Sequence, residues 1–429
     1  MSSARVAIVG AGYAGMAAAA TLAGHGVAVT VYEAGPVPGG RARRVSSRGE
    51  NYDNGQHLLV GAYRELLRLM RVVGVPDDAV LRVPLELRYA HDAFVLRVPR
   101  LPGALGLLAG LLLARGVSLG ERLGAVRFML AMRRCAFRVA PDCSVAELLA
   151  RYRQDGALGR FLWGALCVSA LNTPPEGASA RVFLAVLRDT LDGPRGATDL
   201  VFSRVDLSRL FPEPAARYVA ARGGELRLRS PVRRIVREGE VFRVDGETYG
   251  QVIIACAPQQ LAALIDGLPE LAEVTRAVAA YAYQPIYTCY LRYPRRVSLP
   301  SPMLGFAQGP VQWAFDREML NGETGRIACV ISAEGEHTRM SHDELADACH
   351  SQLCDALGDL PEPLGSQVIG EKRATIACTP GFARVDPRTA LAAVLLAGDY
   401  LDPEYPPTLE AAVRSGVRAA RLALTAISA

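Results

Sequence analysis

The chain has 429 residues, 48 of them basic and 43 acidic, for a formal net charge of +5. So small an excess gives nucleic acid no bulk attraction, and a chain of this length with half its residues hydrophobic can build a large core in two or three domains. The nine cysteines show no C-x-x-C and no zinc-spaced Cys/His cluster, which predicts reduced, buried thiols in a cytoplasmic protein and no metal. Lys372 is the only lysine, so a lone arginine carries little information here. The opening "MSSARVAIVGAG" lacks a cleavage-site pattern and reads as a strand.

"RVAIVGAGYAGMAAAATLAGHG" predicts an apolar strand, a glycine turn and an alanine-rich helix. Gly10, Gly12 and Gly15 form G-x-G-x-x-G. The first permits the tight turn, the second lets a diphosphate approach the backbone, and the third lets the helix pack closely on the strand. The next strand, "VAVTVYEA", ends in Glu33 and Ala34, about twenty residues on, where a carboxylate accepts hydrogen bonds from a ribose. Gly39, Gly40 and Arg41 follow as G-G-R. The glycine pair allows a second close backbone approach, and the guanidinium suits phosphate. This combination resembles the flavin-dependent amine oxidase and phytoene desaturase superfamily. The resemblance implies FAD, with Gly10, Gly12, Ala14, Gly15, Glu33, Ala34, Gly40 and Arg41 among its contacts.

A polar knot, Asp53-Asn54-Gly55-Gln56-His57, comes next, and an apolar helix is expected from Leu58. Polar side chains before a core segment face something other than protein, and here that is taken to be the flavin edge. "YRELLRLMRVVGVPDD" has helical spacing and ends at Gly74 and Pro76. "LELRYAHDAFVLRVPRL" alternates as a hairpin. Residues 101–114, "LPGALGLLAGLLLA", are too short to span a bilayer, which needs roughly 20 residues. They are either a core helix or one that dips into a leaflet. The following helix carries Arg122, Arg127, Arg133, Arg134 and Arg138, which suit an anionic membrane surface or, equally, a solvated face. Residues 160–191 read as helical, broken at "NTPPEG". After residue 210 come a helix, a "GG" and short strands. In "SPVRRI" a strand is expected to place Val232 where related flavoproteins contact adenine. "QVIIACAP" reads as a buried parallel strand. Residues 270–384 alternate strands and helices, and contain Glu371 and Lys372. The end of the chain predicts a strand closing at Gly398-Asp399, a loop, and a long helix from about Thr408. That helix start offers free N–H groups and the positive end of a dipole to an anionic reduced flavin.

The expected class is therefore α/β, with a Rossmann-like FAD-binding domain split along the chain over 1–85, 210–268 and 385–429. Residues 86–209 and 269–384 would form an α+β substrate domain, with a helical, membrane-facing part over about 101–200. "DNGQHLLVGAY", "LNTPPEGASARVFLAVLRDTL", "EKRAT" and "YPPTLEAAVRSG" together resemble the hydroxysqualene dehydroxylase family, squalene-associated FAD enzymes of bacterial hopanoid pathways. The likeness runs along nearly the whole chain, and departs at "GDYLDPEYPPTLEAA". It implies FAD-dependent reductive removal of an allylic hydroxyl from hydroxysqualene, giving squalene and water. The remaining cofactor contacts it implies are Gly55, Gln56, His57, Val232, Gly398, Asp399, Thr408 and Leu409. As catalytic candidates it leaves His57, oriented by Asp53 unless Asp53 merely caps the following helix, and Glu371 with Lys372. The expected partners are a hydrophobic terpenoid substrate, an anionic membrane surface and upstream squalene or hydroxysqualene synthase-like enzymes, with no nucleic acid. The expected place is the cytoplasm, peripheral on the inner face of the membrane. Three other readings compete: a phytoene-type desaturase running hydride the other way, a flavin amine oxidase, and a flavin-binding scaffold that presents lipid.

Overall fold

The computed structural model describes residues 5–101 and 105–428. Residues 102–104, inside the apolar run expected over 101–114, lie outside the described residues. The class is α/β. Five parallel strands run in the order Glu225–Arg227, Val29–Tyr32, Val6–Val9, Gln251–Ile254 and Val394–Leu396. The three central strands and the last are buried throughout, which is why they read as unbroken apolar runs. Side chains alternate between two cores. Val6 and Ile8 join the first helix, Tyr13–Gly24, and the last, Leu409–Ser428. Ala7 and Val9 face a three-stranded antiparallel sheet over Ile235–Glu238, Val241–Val244 and Glu247–Tyr249.

A second, antiparallel sheet has the order Met303–Gly305, Trp313–Asp316, Arg326–Ser332, Tyr283–Arg292 and Gly365–Ile376. Cys289 and Leu291 face the helix His342–Leu357, and Tyr290 between them faces the opposite core. That core is shared with the helical part, which includes Leu105–Leu113, Leu119–Arg134, Val145–Arg151, Ala165–Leu171 and Ala180–Leu191. Ser118 and Ser144 start two of these helices with reciprocal Ser–Glu caps. Among the described residues no helix is long and apolar enough to cross a membrane, and all nine cysteines are free thiols.

Two local expectations are corrected. Leu58–Val60 is a strand, paired with Leu200–Ser203, and the helix begins only at Arg64. A short apolar run is ambiguous by pattern, and here its partner lies far off in sequence. Gly61 makes the turn between strand and helix, where a Cβ would stand 1.8 Å from the Gly196 carbonyl oxygen. Val232 does not lie in a strand either. It sits in the irregular segment before Ile235, which is tied back by the Ser230 N–H donating to the Glu33 carbonyl oxygen at 2.8 Å.

Candidate active site

The strand Val6–Val9 ends at Gly10, whose φ of +108° favours glycine. A Cβ on Gly15 would lie 1.9 Å from the Gly10 carbonyl oxygen, so the first helix can follow the turn this closely only without one. That helix starts at Gly12 with no side-chain cap and no acid in its first turn. Its first N–H groups, Ala14 among them, are thus free of side-chain acceptors and carry the positive end of the dipole. The G-G-R loop crosses directly above. The Gly39 N–H donates to the Ala11 carbonyl at 2.9 Å, and a Cβ on Gly40 would come within 3.1 Å of Gly12 Cα. A concave backbone surface without side chains, at a helix N-terminus, fits a dinucleotide diphosphate.

Around this cradle the polar residues form one connected set. Glu33 accepts from the Ala11 N–H at 2.9 Å and the Gly35 N–H at 2.7 Å, which fixes its carboxylate beside the turn. Ala34 next to it is exposed. Arg41 donates to Asp399 at 2.6 Å and to the Ala374 carbonyl at 2.5 Å. Burial works against its charge, but Asp399 and Glu371 outweigh that and hold the guanidinium above its ordinary pKa. Asn54 donates from its side chain to the Arg41 carbonyl at 3.0 Å and so ties the polar knot to this loop. On the other side, the Gly398 N–H donates to Ser415 of the last helix at 3.0 Å. Thr408 caps that helix, taking the Ala411 N–H at 3.2 Å, and Leu409 is its first residue.

The knot itself is held from below. The Tyr290 hydroxyl donates to the Asp53 carbonyl at 3.0 Å, and the Gln56 N–H to Thr288 at 3.2 Å. Arg317, 5 % exposed, donates to Gln56 at 2.9 Å and to Glu323 at 2.5 Å, and lies 3.4 Å from Asp53. The Asp53 carboxylate takes the Leu207 N–H at 2.8 Å. It therefore meets the start of the short helix Leu207–Leu210, not of a helix at Leu58. Burial pushes the Asp53 carboxyl up to about 6, with Arg317 and the Leu207 N–H opposing. The His57 ring lies with Nδ1 2.9 Å from the Gly55 carbonyl, and burial lowers its pKa.

The structure thus brings the glycine turn, Glu33, Gly40, Arg41, the knot and Asp399 into one hydrogen-bonded neighbourhood. Glu371 acts on Arg41 by charge alone, its carboxylate taking the Arg373 N–H at 3.2 Å. Lys372, on the neighbouring strand position, is exposed and has no ion pair among the described residues. Glu410 turns away from the helix start and takes the Glu65 and Leu66 N–H groups at 3.0 and 2.9 Å, capping another helix. Sequence reasoning missed Arg317, Thr288 and Tyr290. An arginine among 48 basic residues and two ordinary strand residues gave no signal that could have found them.

A parallel sheet with a diphosphate cradle and a second sheet closing over it define an FAD-dependent oxidoreductase. The model of the family described as flavin containing amine oxidoreductase matches residues 13–424, and the chain belongs to that family. A hydroxysqualene dehydroxylase from Sinorhizobium fredii is 28% identical, covering 98% of each chain. A 15-cis-phytoene desaturase from Synechococcus elongatus is 23% identical, over 96% of this chain and 94% of its own. Among solved structures, a putrescine oxidase triple mutant superposes with a TM-score of 0.75 at 18% identity, covering 99% of each chain, which is a likeness of fold.

Proposed function

We propose that this enzyme removes the allylic hydroxyl of hydroxysqualene reductively, yielding squalene and water. The full-length similarity to the enzyme of that name, at higher identity than to the desaturase, carries the reading. Gly10, Gly12, Ala14, Gly15 and Gly40 hold the diphosphate of FAD. Glu33, Ala34 and Val232 serve the adenosine end. Arg41, Gly55, Gln56, His57, Gly398, Asp399, Thr408 and Leu409 serve the flavin end. Bound FAD in its reduced form supplies the hydride that replaces the hydroxyl.

The protein's own part is to bind, orient and protonate. Departure as water needs a proton on the hydroxyl oxygen, and His57 is the group assigned to give it. With Nδ1–H donated to the Gly55 carbonyl, the protonated ring presents Nε2–H. Its lowered pKa makes that form a stronger acid and a scarcer one at pH 7, so the rate should climb as pH falls below neutrality. Arg317 and Asp53 fix the knot that carries the ring. Glu371 and Lys372 are the next candidates, Lys372 through its exposed position on the strand over Arg41.

The apolar substrate and the surface of the helical part support a peripheral membrane position. Among the described residues, seven of fourteen exposed large hydrophobic side chains fall between 101 and 130, with Leu105, Leu113 and Leu119 each more than half exposed. Synthase-like enzymes that make the substrate would then sit on the same surface. The test is product identity. Reduced, FAD-loaded enzyme given hydroxysqualene should release squalene, and His57→Ala should slow this by ~10²–10⁴ while retaining FAD. Turnover of phytoene but not of hydroxysqualene would overturn the assignment in favour of the desaturase.

A further inference from the structure

Away from the cradle, a cavity of about 520 Å³ opens between the helix Arg64–Val72 and the last helix. Arg64, Arg414, Arg418 and Arg421 line it, over an apolar floor that includes Val417 and Leu422. Arg414, Arg418 and Arg421 recur at four- and three-residue spacing, so they share one face of the last helix. Like charges at that spacing repel.

Their acid partners are few and distant. Arg414 lies 4.0 Å from Asp189 and Arg418 3.9 Å from Asp386, both at the limit of an ion pair. Arg64 and Arg421 have none among the described residues. The three acids that line the cavity all have closer partners. Glu65 pairs with Arg68 at 2.6 Å, Asp189 with Arg188 at 2.9 Å, and Glu410 caps a helix. Arginine is abundant in this chain and a solvated face would carry it too. Four arginines in the lining of one concavity, within the ~300–1,000 Å³ usual for small-molecule sites, are what set this place apart.

We infer that this cavity is a binding site for a phosphate-bearing ligand. Guanidinium forks match phosphate oxygens bidentately, and several of them together favour a multiply charged group over a single carboxylate. The ligand is a soluble phosphate compound or a lipid headgroup. Asp192, at the end of the helix that also carries Asp189, pairs with Arg133 at 2.8 Å. The C-terminal end of the helix Leu119–Arg134 thus reaches the same helix end as the cavity, which gives the headgroup a structural basis. The inference stands independently of the reaction proposed above.

The test uses FAD-loaded full-length protein, wild type against Arg418→Gln/Arg421→Gln. Exposed Arg295→Gln/Arg339→Gln, remote from the cavity lining, is the control pair. Calorimetry with inorganic diphosphate addresses the soluble source. Sedimentation with phosphatidylglycerol vesicles, against phosphatidylcholine vesicles, addresses the headgroup. A tenfold or greater loss in the cavity variant alone supports the site, and the assay in which it appears identifies the source. If wild type binds neither probe, or the control pair loses as much, the inference is overturned. Flavin content and circular dichroism establish that the variants are folded.

Discussion

Asp53 shows how far a residue's surroundings depart from its sequence context. Its five-residue knot marks it as polar, yet it is 3 % exposed and surrounded by Leu207, Arg317 and Tyr290. Its folded pKa of about 6 lies above the ordinary 3.8 because burial disfavours the charge. The protonated form stabilises the fold fully below pH 3.8, and that contribution is lost as pH rises through about 6. The shift is worth about 3 kcal/mol. Asp53→Asn keeps an acceptor for the Leu207 N–H and removes the titration. Denaturant unfolding at pH 4 and pH 7 should therefore show the variant gaining on wild type by about that amount at the higher pH. An unchanged difference would mean that the carboxyl titrates normally. At this scale the sequence was a good guide to backbone roles and a poor one to side-chain partners. Gly10 and Gly15 stand where their spacing said, because a tight turn leaves one solution. The Asp53–Arg317 and Glu410–Leu66 contacts join residues hundreds of positions apart, and no local pattern encodes them.

Elements were legible where period and punctuation agreed. The helix ending before Gly74 and the hairpin strands Glu86–Arg88 and Val95–Arg97 lie where expected. Leu58–Val60 was misread because three apolar residues have no period, and a distant strand decided their state. The last helix was legible in position, but its tight packing was not. A Cβ on Gly416 would stand 2.0 Å from the Ala14 carbonyl oxygen. Gly416→Ala should cost ~1–3 kcal/mol or more by overpacking and push the two cofactor-facing helices apart. Thermal unfolding together with flavin retention measures this, and wild-type values for both would refute the close contact. The leucine-bearing helices make a separate prediction. Leu113→Glu/Leu119→Glu should abolish low-salt sedimentation with anionic vesicles and leave bound FAD unchanged. If wild type itself ignores such vesicles, these leucines are not a membrane surface.

For the whole molecule, the parallel sheet could be read because its buried strands announce themselves as apolar runs. In that sheet the glycine-turn strand, "QVIIACAP" and the Gly398-Asp399 strand lie side by side although they are far apart in the chain. No local pattern showed how Thr288 and Tyr290 of the second sheet, with Arg317 at the start of the short helix after one of its strands, hold the knot. In the proposed reaction the allylic alcohol is an oxidant of this enzyme's reduced flavin. Anaerobic stopped-flow mixing of photoreduced holoenzyme with hydroxysqualene tests it directly. The oxidised flavin spectrum should return without oxygen, with one squalene formed per flavin reoxidised. A flavin that stays reduced under hydroxysqualene, and reoxidises only when air is admitted, would contradict it.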